Sequence, residues 1–509
     1  MVLIPAVLFS APMGLNDGQR PPRLAANSAA PDSLAIEAFF TSHPDLIPYK
    51  NEVKALYKKR GYSFLWYDNE GLTDFAKVLF NEISRIREDG LPVLLPYSEE
   101  FDKIYLAATK RRKESAELLL TSLYIFYTEK VFSGLDPEKS RLTGWYLPRE
   151  KTSYSTYLEM LLEERDIPKL FSQYYKLKKA LKKYRNIEGE GGWDVISVTK
   201  NFKTLKPNDT SATIANVRSR LFREGYLNKD SGKLVFDEDL LTGIHHYKEK
   251  HNKLTDSLIT RDFIKELNVS VGERIECIMV NMERCRWIPT TMNDSREFIA
   301  VNIPSYRLHY FREGKSFLTS KVVVGKEATK TVVFSGEMSH VIFSPYWNVP
   351  KSILLNEILP DIKKDRAYLA KHNMEWVGNR VRQRPGGSNA LGLVKFIFPN
   401  SSNIYLHDTP SKSLFNKDKR AFSHGCIRVE KARELALAIM KKDADWDAEK
   451  VDKAMLSGKE STYTLKQKIP VYIAYFTAWA DEKGNTAFYE DIYKRDARLS
   501  QLLFNSSIN

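Results

Sequence analysis

The spacing of apolar residues changes character near residue 297. Before that point it is helical. The run Leu72–Ile83 repeats its apolar positions at helical spacing and closes in the turn residues Asp89-Gly90-Leu91-Pro92. Ala116–Tyr127 is apolar nearly all round, the mark of a buried helix. Residues 33–190 are therefore read as one helical unit, bounded by Gly189-Glu190-Gly191-Gly192. Residues 191–270 predict three short helices. The first carries Val217 and Leu221 and is closed by Gly225, the second runs from Phe236 to Tyr247, and the third spans Ser257–Leu267. A connecting helix then occupies 271–296.

From Glu297 onward the pattern becomes short β-type runs separated by turn residues. These are Phe298–Pro304, Tyr306–Phe311, Ser320–Gly325, Lys395–Pro399, Ile404–Asp408 and Pro470–Phe476, with a hairpin turn at Glu313-Gly314. Ala432, Leu435, Ala436, Ile439 and Met440 mark a helix late in this region. The stretch 345–392 is too long for an ordinary loop and reads as a lid or insertion with a functional reason. The fold class is α+β: two helical units, then a mainly β domain over 297–495 and a tail at 496–509. Residues 1–32 join an apolar run to a Pro-, Ala-, Asn- and Ser-rich linker. They are read as an export-signal remnant, with the start assigned too far downstream, or as an apolar tail.

Composition adds little to this division. With 509 residues and 43% hydrophobic content the chain can bury several cores. Its net charge of +14 suits an acidic partner or surface, but no nucleic-acid-binding motif accompanies it, and a solvated basic surface accounts for most of it. No stretch reaches ~18 uninterrupted apolar residues. Only three cysteines occur. Cys277 and Cys285 lie about 12 Å apart along one predicted helix, too far for a disulfide. No CxxC or HExxH pairing is present, and no cofactor is expected.

Cys426 stands in Ser423-His424-Gly425-Cys426-Ile427-Arg428-Val429. Read as an extended strand, this places His424, Cys426 and Arg428 on one face and Ile427 and Val429 on the core face. Positive neighbours and a following helix N-terminus would favour the thiolate, as a nucleophile requires. A small buried cysteine is the ordinary alternative, and the polar neighbours on its own face argue against it. A base is also needed. His424 is near in sequence but runs alongside. His407 shares a face with Tyr405 in Ile404–Asp408, and it can reach Cys426 if the two strands are neighbours. Asp408 could orient that imidazole through its carboxylate or its backbone carbonyl.

The segments Arg384-Pro385-Gly386, Asn389-Ala390-Leu391-Gly392, Lys395-Phe396, Phe398-Pro399-Asn400, Ile404–Pro410, Phe415, Arg420-Ala421 and Ser423–Val429 together resemble the YkuD-type L,D-transpeptidase domain, in particular its large YcbB-like subfamily. Asn281, Glu283-Arg284 and Arg286-Trp287 match that subfamily's entry to the catalytic domain. Tyr62–Trp66, Asp89-Gly90-Leu91 and Tyr97 are similar to its helical scaffold domain. The unit at 191–270 resembles small three-helix peptidoglycan-binding domains. It departs from them at Tyr247-Lys248 and His251-Asn252, so wall binding and a structural role both stand. His245, His246 and His251 are read as surface or packing residues.

The resemblance implies Cys426 as nucleophile and His407 as base, oriented by the Asp408 carbonyl. It further implies that the Gly425 and Cys426 N–H groups form an oxyanion hole. His424, Arg428, Tyr405 and Asn389 would contact substrate, and 345–392 would cap the donor site. The implied reaction is acyl transfer in peptidoglycan. Cys426 takes the third residue of a tetrapeptide donor stem, and an acceptor stem amine resolves the thioester to a 3→3 cross-link. Water or a lipoprotein amine as acceptor would give an L,D-carboxypeptidase or an anchoring enzyme. Stem peptides and possibly glycan strands are the implied partners, carbapenem-type inhibitors the implied acylating agents, and the periplasm or cell envelope the implied location. A zinc hydrolase using His407, His424 and Cys426 is the remaining alternative from a different class.

Overall fold

The computed structural model describes residues 31–106, 114–150, 153–163, 169–289, 292, 295–441 and 443–505. The leader or linker expected at 1–32 lies almost wholly outside the described residues.

The first unit packs around the Glu114–Thr128 helix, buried along nearly its whole length as its composition requires. Its one internal acid, Glu117, is satisfied by the Tyr57 hydroxyl (2.8 Å) and the backbone N–H groups of Leu65 (2.5 Å) and Trp66 (3.1 Å). It is a structural acid with no open coordination. The unit ends in the Ser172–Gly189 helix. The three predicted short helices follow at Ala212–Glu224, Glu238–Lys250 and Arg261–Leu267, around a small core of their own that includes Val217, Leu221, Leu240, Tyr247 and Leu267. Gly225 closes the first at φ +88, where a side chain would be strained. The third begins later than its apolar spacing suggested, because Thr260 caps it by accepting the Phe263 N–H.

The Val271–Arg286 helix opens with a capping box between Ser270 and Glu273 and joins the units. It packs on the Ser172–Gly189 helix and on a final helix, Asp496–Asn505. That last helix takes up most of the segment read as a tail at 496–509, and it buries Leu499 and Leu503. The polar residues of the connecting helix tie three regions together. Glu283 accepts the Leu135 N–H (2.5 Å), the Trp287 indole N–H (2.9 Å) and Arg286 (3.1 Å). Arg286 also donates to the carbonyls of Asp89 (2.6 Å) and Val131 (2.9 Å). Arg284 pairs with Asp496 at 2.7 Å.

The second half is built on one nine-stranded sheet. Its strands are β1 (Glu297–Asn302), β2 (Arg307–Arg312), β3 (Lys315–Gly325), β4 (Phe334–Phe343), β8 (Val394–Ile397), β9 (Leu406–His407), β10 (Ala421–Ser423), β11 (Ile427–Val429) and β12 (Ser461–Ala474). The order is β10-β3-β11-β9-β8-β4-β12-β1-β2, and β3 also pairs with β2, so the sheet returns on itself. The predicted turn at Glu313-Gly314 joins β2 to β3 with both φ angles positive, +52 and +72. Along β8, Val394 and Phe396 are buried while Lys395 and Ile397 are half-buried. The Ala432–Met440 helix packs against this strand. The opposite, half-buried face of the sheet carries the site.

Between β4 and β8 lies the insertion. It is a small three-stranded sheet, β5 (Trp347–Asn348), β7 (Arg380–Gln383) and β6 (Met374–Val377), with helical turns over Lys351–Lys364. Val349, Ile353, Leu354, Ile358 and Val381 give it a separate core. Strands β13 (Ala478–Ala480) and β14 (Thr486–Phe488) form a hairpin beside the helical units.

Candidate active site

Strands β9 and β11 are parallel neighbours, with Leu406 opposite Ile427 and His407 opposite Arg428. Ile427, Val429 and Leu406 are fully buried and hold the pair in the core, leaving Tyr405, His407 and Arg428 on the other face. The strand that ends in the predicted base and the strand that follows the predicted nucleophile are therefore adjacent.

The segment Ser423–Val429 is not the single strand its β-branched residues suggested. It is two short strands, β10 and β11, broken by a bend over 424–426. Gly425 sits at φ +118, a conformation other residues rarely adopt. The Ser423 hydroxyl holds the bend, donating to the Cys426 carbonyl at 2.5 Å and accepting the Gly425 N–H at 3.2 Å. The bend is buttressed from outside. Thr331 donates to the Gly425 carbonyl (2.8 Å), and Thr329 donates to the Ser423 carbonyl (3.0 Å). Gly325 lets this buttress approach, since a Cβ there would lie 2.1 Å from the Thr329 carbonyl oxygen.

Three expectations change with the bend. The Gly425 N–H is committed to Ser423, so it is not a free oxyanion donor. His424 leaves the face of Cys426 and Arg428, and its Nε2 meets Glu357 of the insertion at 2.7 Å. Strand β11 intervenes along the chain between Cys426 and the Ala432–Met440 helix, so that helix does not begin at the thiol.

The thiol of Cys426 is largely buried and lies 3.7 Å from the Asn403 carbonyl, to which it donates. Burial pushes its pKa up, opposed by hydrogen bonds from Tyr405 and the charge of Arg428. The thiol is therefore not held as a thiolate, contrary to the expectation from sequence. His407 is buried, and its Nδ1–H donates to the Asp408 carbonyl at 2.5 Å, which leaves Nε2 as the basic nitrogen. Burial, followed by the charge of Arg428, brings its pKa down to about 4, against the opposing pull of the Asp408 and Leu391 carbonyls. At neutral pH the site holds a neutral imidazole and a thiol.

Asp408 meets the imidazole through its carbonyl. Its carboxylate accepts the Leu393 N–H at 3.0 Å and pairs with Lys412 at 2.5 Å. Tyr405 stacks edge-on to His407, with ring centroids 5.7 Å apart, and its hydroxyl is coupled to Cys426. Arg428 is half-buried, and its Nε has no partner among the described residues. Asn389 does not face the site. Its amide is fully buried, donating to the Pro345 (3.1 Å) and Arg384 (2.9 Å) carbonyls and accepting the Leu391 N–H (2.8 Å), which leaves nothing to meet a substrate. Sequence reasoning missed Ser423 as a holder of the bend, and also Thr331, Glu357 and Asn403. No local pattern distinguishes these from ordinary loop residues.

His407, His424 and Cys426 do not assemble as a metal set, since His424 is turned to Glu357. Among the described residues no group of three or more His, Cys, Asp or Glu side chains is placed to hold a metal ion. No helix among the described residues is long and apolar enough to cross a membrane.

Residues 296–453 match the family model described as the L,D-transpeptidase catalytic domain, YkuD, and residues 51–181 match the model of the Scaffold domain. A Haemophilus influenzae protein whose name places it among the L,D-transpeptidases is 35% identical over 288 residues, 52% of this chain. The match spans 56% of that relative's length. Among solved structures, L,D-transpeptidases from Xylanimonas cellulosilytica and Stackebrandtia nassauensis are each 10% identical over 54% of this chain. They are covered to 100% and 96%, with TM-scores of 0.19 and 0.22. Residues 296–453 of this chain thus belong to the YkuD family of L,D-transpeptidase catalytic domains, joined to a Scaffold domain at residues 51–181.

Proposed function

We propose that this protein is a cysteine L,D-transpeptidase that forms 3→3 cross-links between peptidoglycan stem peptides in the cell envelope. One observation carries the reading. Cys426 stands in the bend directly ahead of β11, whose parallel neighbour β9 ends in His407, with the His407 ring fixed by the Asp408 carbonyl.

The chemistry follows from the resting state. As the donor stem docks, His407 Nε2 takes the proton of Cys426, and the sulfur attacks the carbonyl of the third stem residue. Arg428 and Tyr405 stabilise the negative sulfur against the cost of its burial. The tetrahedral adduct collapses as the imidazolium returns its proton to the departing amine. The terminal D-residue leaves, and a thioester remains on Cys426. An acceptor amine then gives its proton to His407 and attacks the thioester, and the Cys426 thiol re-forms with that proton. The low proton affinity of the buried ring makes the imidazolium a strong acid, suited to the first leaving step.

Cys426→Ala should lower cross-linking of tetrapeptide stems by about 1000-fold or more while leaving the thermal unfolding transition in place. Intact mass after exposure to a carbapenem should show one adduct on the parent chain and none on the variant. Cross-linking retained in Cys426→Ala would falsify the assignment. Product masses separate the three acceptor classes: a stem dimer, a tripeptide or a lipoprotein conjugate.

A further inference from the structure

The sheet face that carries His407 also carries a cation that the reaction above does not use. Lys395 on β8 is the cross-strand partner of His407, as Arg428 on β11 is on the other side. Directly opposed residues of neighbouring strands point to the same face. Arg428, His407 and Lys395 therefore form one row across three strands, with the imidazole bracketed by two positive side chains. The burial pattern agrees, since Val394 and Phe396 are buried on the core face and Lys395 is half-buried on this one.

Lys395 has no bonded counter-ion. Among the described residues no hydrogen bond or ion pair engages its ammonium. The one acid among the described residues that acts on it is Glu460, whose carboxylate accepts the Tyr346 N–H at 2.7 Å. Burial holds the ammonium below its ordinary proton affinity. A half-buried cation without a bonded anion is costly unless a ligand supplies one. Tyr346 lies at the base of the insertion, so the row runs from the nucleophile toward the segment expected to cap the donor.

We propose that Lys395 binds a carboxylate of the donor stem peptide and so positions the donor for attack by Cys426. The inference rests on the transpeptidase reading. An L,D-peptide bond to a terminal D-residue necessarily has a free α-carboxylate one residue beyond the scissile carbonyl. The diamino acid at the third position can supply a second. Lys395 is two strand spacings from β11, on the order of 10 Å between backbones, within which a lysine side chain and one residue of substrate can meet.

The test is steady-state cross-linking by the full chain with Lys395→Gln and Lys395→Arg, using three donors: the free tetrapeptide, its C-terminal amide, and the peptide amidated at the diamino-acid carboxylate. Lys395→Gln should raise KM for the free donor about 10- to 100-fold with kcat changed much less, and Lys395→Arg should recover most of it. The penalty should vanish for one amidated donor, which identifies the carboxylate bound. A penalty that persists with both amides, or no penalty with the free donor, overturns the proposal. Alkylation of Cys426 by the neutral reagent iodoacetamide should proceed at the parent rate in both variants, and a changed rate assigns Lys395 to the thiol instead. A parent protein that cross-links no donor counts against the transpeptidase reading, a result distinct from any of these.

Discussion

At the scale of single residues, the site contradicts the picture of a primed thiolate. Proximity in sequence to His424 and Arg428 suggested a cysteine held ionised. Burial works against that at both partners: it raises the thiol and lowers the imidazole, so the resting pair is neutral. A pH profile separates the two pictures. Alkylation of Cys426 by iodoacetamide in the free protein should climb continuously above pH 9 without a plateau near neutrality, because the thiol must ionise against its surroundings. Arg428→Gln should slow the reaction at pH 8 by about 3- to 10-fold, since an opposing charge is removed. A plateau below pH 7 would mean an ion pair after all. Cys277, pushed up to about 12 by burial, and the fully buried Cys285 should not interfere. The place of His407 beside the strand that follows Cys426 was legible from strand alternation. The role of Asn389 was not, because a buried amide that closes a loop and an amide that meets a ligand look alike in sequence.

At the scale of elements, the stretches with a simple period were legible and those set by tertiary bonds were not. The Ala432–Met440 helix and the three short helices followed from apolar spacing. The bend over 424–426 did not, since Ile427 and Val429 signal strand while Ser423, Thr329 and Thr331 impose the break from elsewhere. The connecting helix shows the same limit. Its Asn281, Glu283-Arg284 and Arg286-Trp287 stood out as a motif, but the physical reason lies in bonds to distant segments. Glu283 and Arg286 are wholly buried, and Glu283 accepts three donors from two regions. Gly134 admits that carboxylate, since a Cβ there would meet its oxygen at 2.1 Å. Glu283→Gln keeps the shape but turns a donor toward donors and leaves Arg286 uncompensated. It should cost about 3–5 kcal/mol, read as a lowered urea midpoint with an unchanged m-value. A loss under 1 kcal/mol would mean that the pair adds nothing to the joint.

At the scale of the molecule, the division into domains read from apolar spacing is not the division of its cores. The apolar core of the first helical unit continues through the connecting helix into the catalytic sheet, whereas the three-helix unit and the insertion each have their own. The three-helix unit is held to its neighbours largely by polar contacts, among them Tyr184 to Glu224 (2.8 Å), Lys250 to Asp481 (2.7 Å) and Arg307 to Asn252 (3.2 Å). At this seam His251 stacks on Tyr247, with centroids 3.9 Å apart, and its Nε2 is buried without a partner among the described residues. Its ring is neutral in the fold, because burial brings its pKa down to about 4. In the unfolded chain a histidine protonates near 6.5. Between these values the unfolded state binds the extra proton, so the contribution of His251 to stability is complete above about pH 6.5 and falls away as pH drops to 4. Its size is about 3 kcal/mol. His407 adds a similar loss, while Glu117, raised to about 7 by burial, changes in the opposite sense between pH 7 and 4.5. The net slope of the parent protein is thus partly cancelled, and only a difference isolates the seam. Urea unfolding of parent and His251→Phe at pH 7.5 and 4.5 should show the gap between them shift by about 3 kcal/mol in favour of the variant on acidification. A gap that stays constant across that range would mean that His251 takes up its proton as readily in the folded protein as in the unfolded chain, and that the seam accommodates the charge.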